Sequence, residues 1–230
     1  MQKNNYIVAT VKSWNFDNFN NLKKNVKGNW FLIKNKKDLS FKKITKIRPK
    51  FIFFPHWNHK VDNKIVENFE CVCFHETNLP FGRGGSPIQN LILRGLTKTK
   101  ITAFRMNKFL DAGPIYCKYP LSLSGSAEEI LRRSSNIIFK IIIQMCKKKI
   151  HYKDQKGKIV NFKRRKPIES QLPLNLSNLT KIYDYIRMLD AEGYPNAYIN
   201  YGKHIIKFKD AKFKKDCIFA NVKIKKKNEI

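Results

Sequence analysis

Residues 71–90 read Cys-Val-Cys-Phe-His75-Glu-Thr-Asn78-Leu-Pro80-Phe-Gly-Arg83-Gly84-Gly85-Ser86-Pro87-Ile-Gln89-Asn. The apolar run ending at His75 predicts a short buried strand, and the Pro- and Gly-rich residues behind it predict a loop. Ser86-Pro87-x-Gln89 then predicts a helix that starts with a capping box and a first-turn proline and closes at Gly95. A parallel sheet presents a chemically active side chain in this way, at the carboxyl end of a strand. One strand later, at 101–106, the chain reaches a second turn-rich patch, Phe109-Leu110-Asp111-Ala112-Gly113-Pro114.

Working outward, apolar runs at 7–11, 30–33 and 51–54 predict three more buried strands, and 115–119 a further one. Between them, residues 17–25, a weak segment at 39–44 and 63–69 carry helical spacing. Lys12-Ser-Trp14-Asn15 is expected as the loop after the first strand, and Pro55-His56-Trp57-Asn58 as the loop after the third. His56 and Trp57 there read equally as ligand contacts or as packing residues. Ser126-Ala-Glu-Glu129 is a second capping box, and the stripe from Ala127 to Met145 predicts a long helix packed on the sheet, with no chemistry of its own. Lys147, Lys148 and Lys149 supply positive charge at its end. This alternation predicts an α/β protein with an open, mainly parallel Rossmann-like sheet. It also predicts a division into a catalytic domain at 1–150, a basic linker at 151–176, and a small helix-plus-β subdomain at 177–230. In that subdomain a helix at 179–189 breaks at Asp190-Ala-Glu-Gly193-Tyr-Pro195. Strands at 197–201, 204–208 and 218–224 follow, and then a frayed tail at 223–230.

The 230 residues leave room for a substantial core. No run reaches the ~18 apolar residues of a membrane span, and no leader-like segment opens the chain, so a cytoplasmic protein is expected. The five cysteines are odd in number and scattered, which suits free thiols. His56-x-x-His59 and Cys71-x-Cys73 have some metal-site flavour, but two cysteines two apart in a buried strand read as small hydrophobes, and no metal is expected. The net charge of +30 is compatible with a nucleic-acid partner. The lysines are spread over the whole length among many asparagines and isoleucines, which equally describes a general compositional bias.

A histidine and an aspartate at neighbouring strand ends suit general acid–base work. Ser86 is expected to be used as a cap, and the cysteines are expected to be buried, so no nucleophile for a covalent acyl intermediate stands out. His75-x-x-x-Leu79-Pro80 with Arg83-Gly84-Gly85-Ser86-Pro87-Ile-Gln89, followed by Leu110-Asp111-Ala112-Gly113-Pro114-Ile115, resembles the core of the formyltransferases that use 10-formyltetrahydrofolate. That family includes methionyl-tRNA, glycinamide ribonucleotide and sugar N-formyltransferases. Phe53-Phe54-Pro55-His56-Trp57 and Leu189-Asp190-Ala191-Glu192-Gly193-Tyr194-Pro195 make the resemblance greatest to the compact branch acting on nucleotide-linked amino sugars.

The resemblance implies that His75 meets the developing oxyanion and that Asp111 orients it and helps remove the amine proton. It implies 10-formyltetrahydrofolate as formyl donor, lying against Phe54, Pro55, His56 and Trp57 and against Phe109 and Leu110. Lys12, Trp14, Asn15, Arg83, Gly84 and Ser86 are expected on the acceptor side. The family commonly has Asn two residues before its histidine, where this chain has Cys73; Asn78 or a backbone amide would then supply the missing donor. The first loop, Lys12-Ser-Trp14-Asn15, also lacks the glycine turn of larger members. The expected acceptor is the primary amine of a nucleotide-linked amino sugar. Methionyl-tRNA is the first alternative, set second because the tail after Leu176 is short and no basic insertion follows the first strand. A non-catalytic RNA-binding protein on the same scaffold is the other, and a homodimer is also considered.

Overall fold

The computed structural model describes residues 3–148 and 150–227. Lys149 and residues 228–230, which belong to the basic helix end and the frayed tail expected from sequence, lie outside it. Six strands form the main sheet in the order β2-β1-β3-β4-β6-β7, from β1 (Asn5–Ala9), β2 (Asn29–Ile33), β3 (Phe51–Phe54), β4 (Cys71–His75), β6 (Lys98–Arg105) and β7 (Ile115–Ser122). β1, β2, β3 and β4 run parallel, and β6 is antiparallel to β4. β1, β3 and β4 are near-continuous apolar runs because both faces of a parallel sheet are covered. Tyr6, Ile7, Val8, Ile52, Phe53, Cys71 and Val72 are all buried. The cluster around Ile7, Ile44, Ile52, Phe54 and Ile65 joins this sheet to its helices.

Among the described residues, six α-helices are interleaved with the strands: α1 (Trp14–Asn25), α2 (Phe41–Ile47), α3 (Asn63–Asn68), α4 (Pro87–Leu93), α5 (Ala127–Lys147) and α6 (Leu179–Arg187). Local chemistry sets several of their starts. Ser40 and Asp62 cap α2 and α3 by accepting from the amides of Lys43 and Lys64. In front of α5 the expected capping box is present: Ser126 N donates to Glu129 Oε2 at 2.7 Å, and Glu129 N donates to Ser126 Oγ at 3.2 Å.

Four local expectations change. Trp14 and Asn15 begin α1 instead of lying in a loop, and both are buried. The weak helix at 39–44 forms later, as α2. The loop expected after His75 contains a strand, β5 (Phe81–Gly84), paired with β8 (Val160–Phe162). Ser86 does not cap α4: its φ is +52°, and its Oγ accepts instead from Arg165 N at 3.0 Å, while Gln89 donates to Met188 O. Pro87 keeps its expected place in the first turn.

The chain folds as two compact units that interleave in sequence. One comprises the described parts of Met1–Gly84, Lys100–Leu121 and Arg132–Asn161; the other comprises Gly85–Thr99, Ser122–Leu131 and the described part of Phe162–Ile230. The stretch 151–161, expected as plain linker, therefore belongs to the first unit, where Lys153 bridges to Ile115. The second unit carries α6 and an antiparallel sheet of β9 (Tyr198–Tyr201), β10 (His204–Lys214) and β11 (Cys217–Lys226). The Asp190 turn braces it, since Asp190 Oδ2 accepts from Asp210 N at 2.8 Å and Asp190 O accepts from Glu128 N at 3.0 Å. Residues 223–226, expected as frayed, are the last residues of β11. Among the described residues no helix is long and apolar enough to cross a membrane.

Candidate active site

The parallel register aligns the carboxyl ends of β3 and β4, with Phe54 opposite Cys73. His75 is the last residue of β4 and lies opposite Thr102 of β6. Its Nε2 is 2.7 Å from Gly82 O. A carbonyl can only accept, so Nε2 carries the hydrogen. Gly82 O also accepts from Thr77 Oγ1, and Thr102 Oγ1 donates to Thr77 O at 2.6 Å, so the turn from β4 into β5 is tied at three points.

Asp111 Oδ2 stands 3.9 Å from His75 Nε2, with both side chains about nine-tenths buried. It accepts a hydrogen bond from Gly84 N at 2.8 Å. Asp111 has φ +50°, an uncommon conformation for a residue with a side chain. Two contacts hold its loop there. A Cβ on Gly113 would meet Arg105 O at 1.7 Å, so only glycine permits that approach. Gln155 Nε2 donates to Asp111 O at 2.9 Å and Gly113 O at 2.8 Å, while its Oε1 accepts from Arg83 Nε and Nη2 at 3.1 and 2.8 Å. Sequence reading missed Gln155 because it sits in a basic, aperiodic stretch with no motif around it.

A second His–carboxylate pair, also unforeseen, lies beside the first. His56, at φ +50°, places Nε2 3.2 Å from Glu76 Oε1 and 3.3 Å from Ser134 Oγ. Its Nδ1 accepts from Trp14 Nε1 at 3.1 Å and lies 3.2 Å from Asn15 Nδ2. Asn15 also donates to Thr10 Oγ1 and accepts from Ser135 Oγ at 2.6 Å. The long helix is therefore not without polar work, because Ser134 and Ser135 on its buried stripe complete this network. Burial acts to raise the Glu76 carboxyl, but the hydrogen bond from His56 leads the opposing causes and holds Glu76 below the usual glutamate range.

The remaining expected residues divide clearly. Cys73 shares a strand face with His75, two residues away. Burial first, then Asp111 and Glu76, push its thiol well above the ordinary value, so it remains an uncharged thiol. Asn78 is exposed and accepts from Lys118 Nζ at 2.7 Å, so it is turned to Lys118 and does not stand in for an asparagine beside His75. Trp14 lies with Lys12 Nζ 5.1 Å and Arg132 Cζ 6.0 Å from its ring centre. Phe54 and Pro55 are buried, while Phe109 and Leu110 are 62% and 74% exposed next to Asp111. The indole Nε1 of Trp57 is buried with no hydrogen-bond partner among the described residues. An orphaned donor in the loop expected to face the folate fits a ligand rich in acceptors. Ser86 and Arg165 bond within the second unit.

A mostly parallel sheet with a buried histidine at the end of one strand, and a carboxylate brought to it by the loop between β6 and β7, defines a Rossmann-like α/β protein with a candidate acid–base site. Comparison with known proteins narrows the class. Residues 167–225 match the family model described as the methionyl-tRNA formyltransferase C-terminal domain. The solved methionyl-tRNA formyltransferase from Clostridium thermocellum is 48% identical, with a TM-score of 0.95 over 97% of this chain and 100% of that one. The methionyl-tRNA formyltransferase of Clostridium acetobutylicum is 27% identical over 199 residues, 78% of this chain and 60% of its own length. A solved protein from Mycobacterium tuberculosis, described as a likely sugar N-formyltransferase, is 15% identical at a TM-score of 0.70, over 86% of this chain and 92% of that one. At that identity the likeness is one of fold alone. The chain belongs to the formyltransferase family. It spans only part of the length of such curated relatives, 60% for the Clostridium acetobutylicum enzyme and 49% for that of Sulfurihydrogenibium.

Proposed function

We propose that the chain transfers the formyl group of 10-formyltetrahydrofolate to the amino group of methionyl-tRNA. The observation that carries this reading is the 48% identity, end to end, with the Clostridium thermocellum methionyl-tRNA formyltransferase. It replaces the expected amino-sugar acceptor, for which the likeness is confined to fold. The short tail after Leu176 does not speak against a tRNA acceptor, because 167–225 matches the family model of a methionyl-tRNA formyltransferase C-terminal domain. The charge of +30 suits a polyanionic acceptor.

Bound 10-formyltetrahydrofolate would supply the electrophilic formyl carbon. The acceptor amine nitrogen forms a bond to that carbon, the bond from carbon to the donor nitrogen breaks, and one amine proton is transferred to the departing nitrogen. In this reading the Nε2 hydrogen of His75 turns from Gly82 O to the formyl oxygen as charge develops there. Donors of this kind commonly contribute about 3 kcal/mol. Asp111, fixed by Gly84 N, stands where it balances a positive imidazole and can accept the amine proton. His75 and Asp111 are the proposed catalytic residues; Trp57, Phe109 and Leu110 are the proposed folate contacts.

The test offers the purified chain methionyl-tRNA and a panel of nucleotide-linked amino sugars with the same formyl donor. The reading expects formylation of the tRNA, with affinity falling steeply as salt rises. Transfer to a sugar and none to tRNA would restore the sugar reading. RNA binding unaccompanied by any transfer, and unchanged in His75→Ala and Asp111→Ala, would favour the non-catalytic scaffold.

A further inference from the structure

At the amino ends of β1 and β3, opposite the edge that carries His75, the first unit has an open, solvent-facing depression of about 680 Å³ whose lining cations are exposed. It is lined by Lys3, Asn4, Thr45, Lys46, Arg48 and Lys50, among others. Four of its lining side chains are cationic, and none is acidic. Among the described residues none of the four cations forms an ion pair with a carboxylate. The floor is fixed by Asn5, whose Nδ2 donates to Ile47 O, whose Oδ1 accepts from Asn29 Nδ2, and whose carbonyl accepts from Lys50 N at 2.8 Å. Arg48, at φ +50°, ends α2 in the left-handed conformation and so turns the chain from that helix toward β3.

The carboxyl end of α2 accounts for one or two neighbouring cations, since a helix end favours positive charge within its last turn. Lys3 and Lys50 belong to the strand side of the cavity and fall outside that account. Lys50 Nζ lies 6.0 Å from the Phe51 ring centre, and the four exposed cations gathered around one concavity, with no carboxylate partner among the described residues, attract a polyanion. A volume of this size is in the range of sites for nucleotide-sized ligands.

We propose that this cavity is a phosphate-binding site, separate from the His75 site, which takes the phosphate groups of either a free nucleotide or an RNA backbone. The test uses the full chain at low ionic strength, with pyrophosphate, ATP and a short RNA hairpin as calorimetric probes. They are compared between wild type and the triple variant Lys46→Gln, Arg48→Gln, Lys50→Gln. A control variant neutralises three exposed lysines of the second unit, Lys203, Lys212 and Lys225. The expected result is a loss of at least about tenfold in pyrophosphate affinity in the cavity variant and little change in the control, with melting temperature and formyl transfer to a saturating acceptor unchanged. An equal loss in the control would mean diffuse charge and would sink the proposal, as would undiminished pyrophosphate binding in the cavity variant. A parallel loss for the hairpin assigns the site to RNA backbone, and a loss confined to pyrophosphate and ATP assigns it to a free nucleotide.

Discussion

The Gly84 amide donates to Asp111 Oδ2 at 2.8 Å, so the carboxylate that stands 3.9 Å from His75 Nε2 is held by the backbone of the neighbouring strand β5. An asparagine at 111 keeps an oxygen for Gly84 N and removes only the charge. Asp111→Asn is therefore expected to fold normally and to lose about 10²-fold or more in turnover. His75→Asn should fall by a similar factor. Single-turnover formyl transfer beside a melting curve checks both, and a large drop in melting temperature with activity intact would contradict them.

Gln155 is expected to matter although no motif includes it. Gln155→Leu would leave Asp111 O, Gly113 O and the Arg83 guanidinium without their partner. Losing these bonds should cost about 1–3 kcal/mol of stability. Because the loop carries Asp111, turnover should fall about tenfold as well. Chemical denaturation and steady-state kinetics on the same preparation measure the two effects.

Gly113→Ala brings a methyl group to 1.7 Å from Arg105 O, a contact with backbone that no rotamer relieves. The loop or the strand must move. A destabilisation of about 2–4 kcal/mol is expected, together with loss of transfer as Asp111 is displaced. A crystal structure of the variant showing Asp111 undisturbed would refute the second half.

The Glu76–His56 pair gives the fold a defined acid sensitivity. The folded carboxyl is held below its unfolded value of about 4.5, so the unfolded chain binds more protons in this range. The stabilisation is present above that unfolded value and is lost as pH falls through the folded value. Glu76→Gln should flatten this acid limb of stability while lowering stability at neutral pH. Urea unfolding from pH 7 down to pH 3 distinguishes the variant from wild type. Coincident acid limbs would remove Glu76 as the cause.

Much of the sheet was legible in the sequence because parallel strands are written as short apolar runs. Residues 51–54 read as a strand and fold as β3, and the stripe from Ala127 to Met145 reads as the long helix α5. β5 was hidden because Phe-Gly-Arg-Gly has the composition of a turn, and its partner β8 is only three residues long. Ser86 looked like a cap, but its left-handed backbone aims the hydroxyl at Arg165 instead. The motifs that flank His75 and Asp111 single the two out, and the structure sets them 3.9 Å apart. The His56–Glu76 pair needed tertiary information: residues twenty apart become neighbours only once Phe54 is set opposite Cys73 in the parallel ladder. Trp14 and Asn15 looked like loop ligands because polar and aromatic residues after a strand suit a binding turn, whereas here they support His56 from the first turn of α1.

Cys73 stands two residues before His75, where the family resemblance leads one to expect asparagine, and its surroundings determine how the site should withstand chemical attack. Alkylation and oxidation proceed through the thiolate, and burial together with the nearby carboxylates keeps that form scarce. Burial also pushes Cys71 and Cys146 up to about 12 and Cys117 up to about 11. An iodoacetamide or peroxide challenge at neutral pH should therefore leave formyl transfer nearly untouched. The sulfur two residues from His75 is thus held in its dormant, uncharged form by its own surroundings, with no bound group needed to shield it.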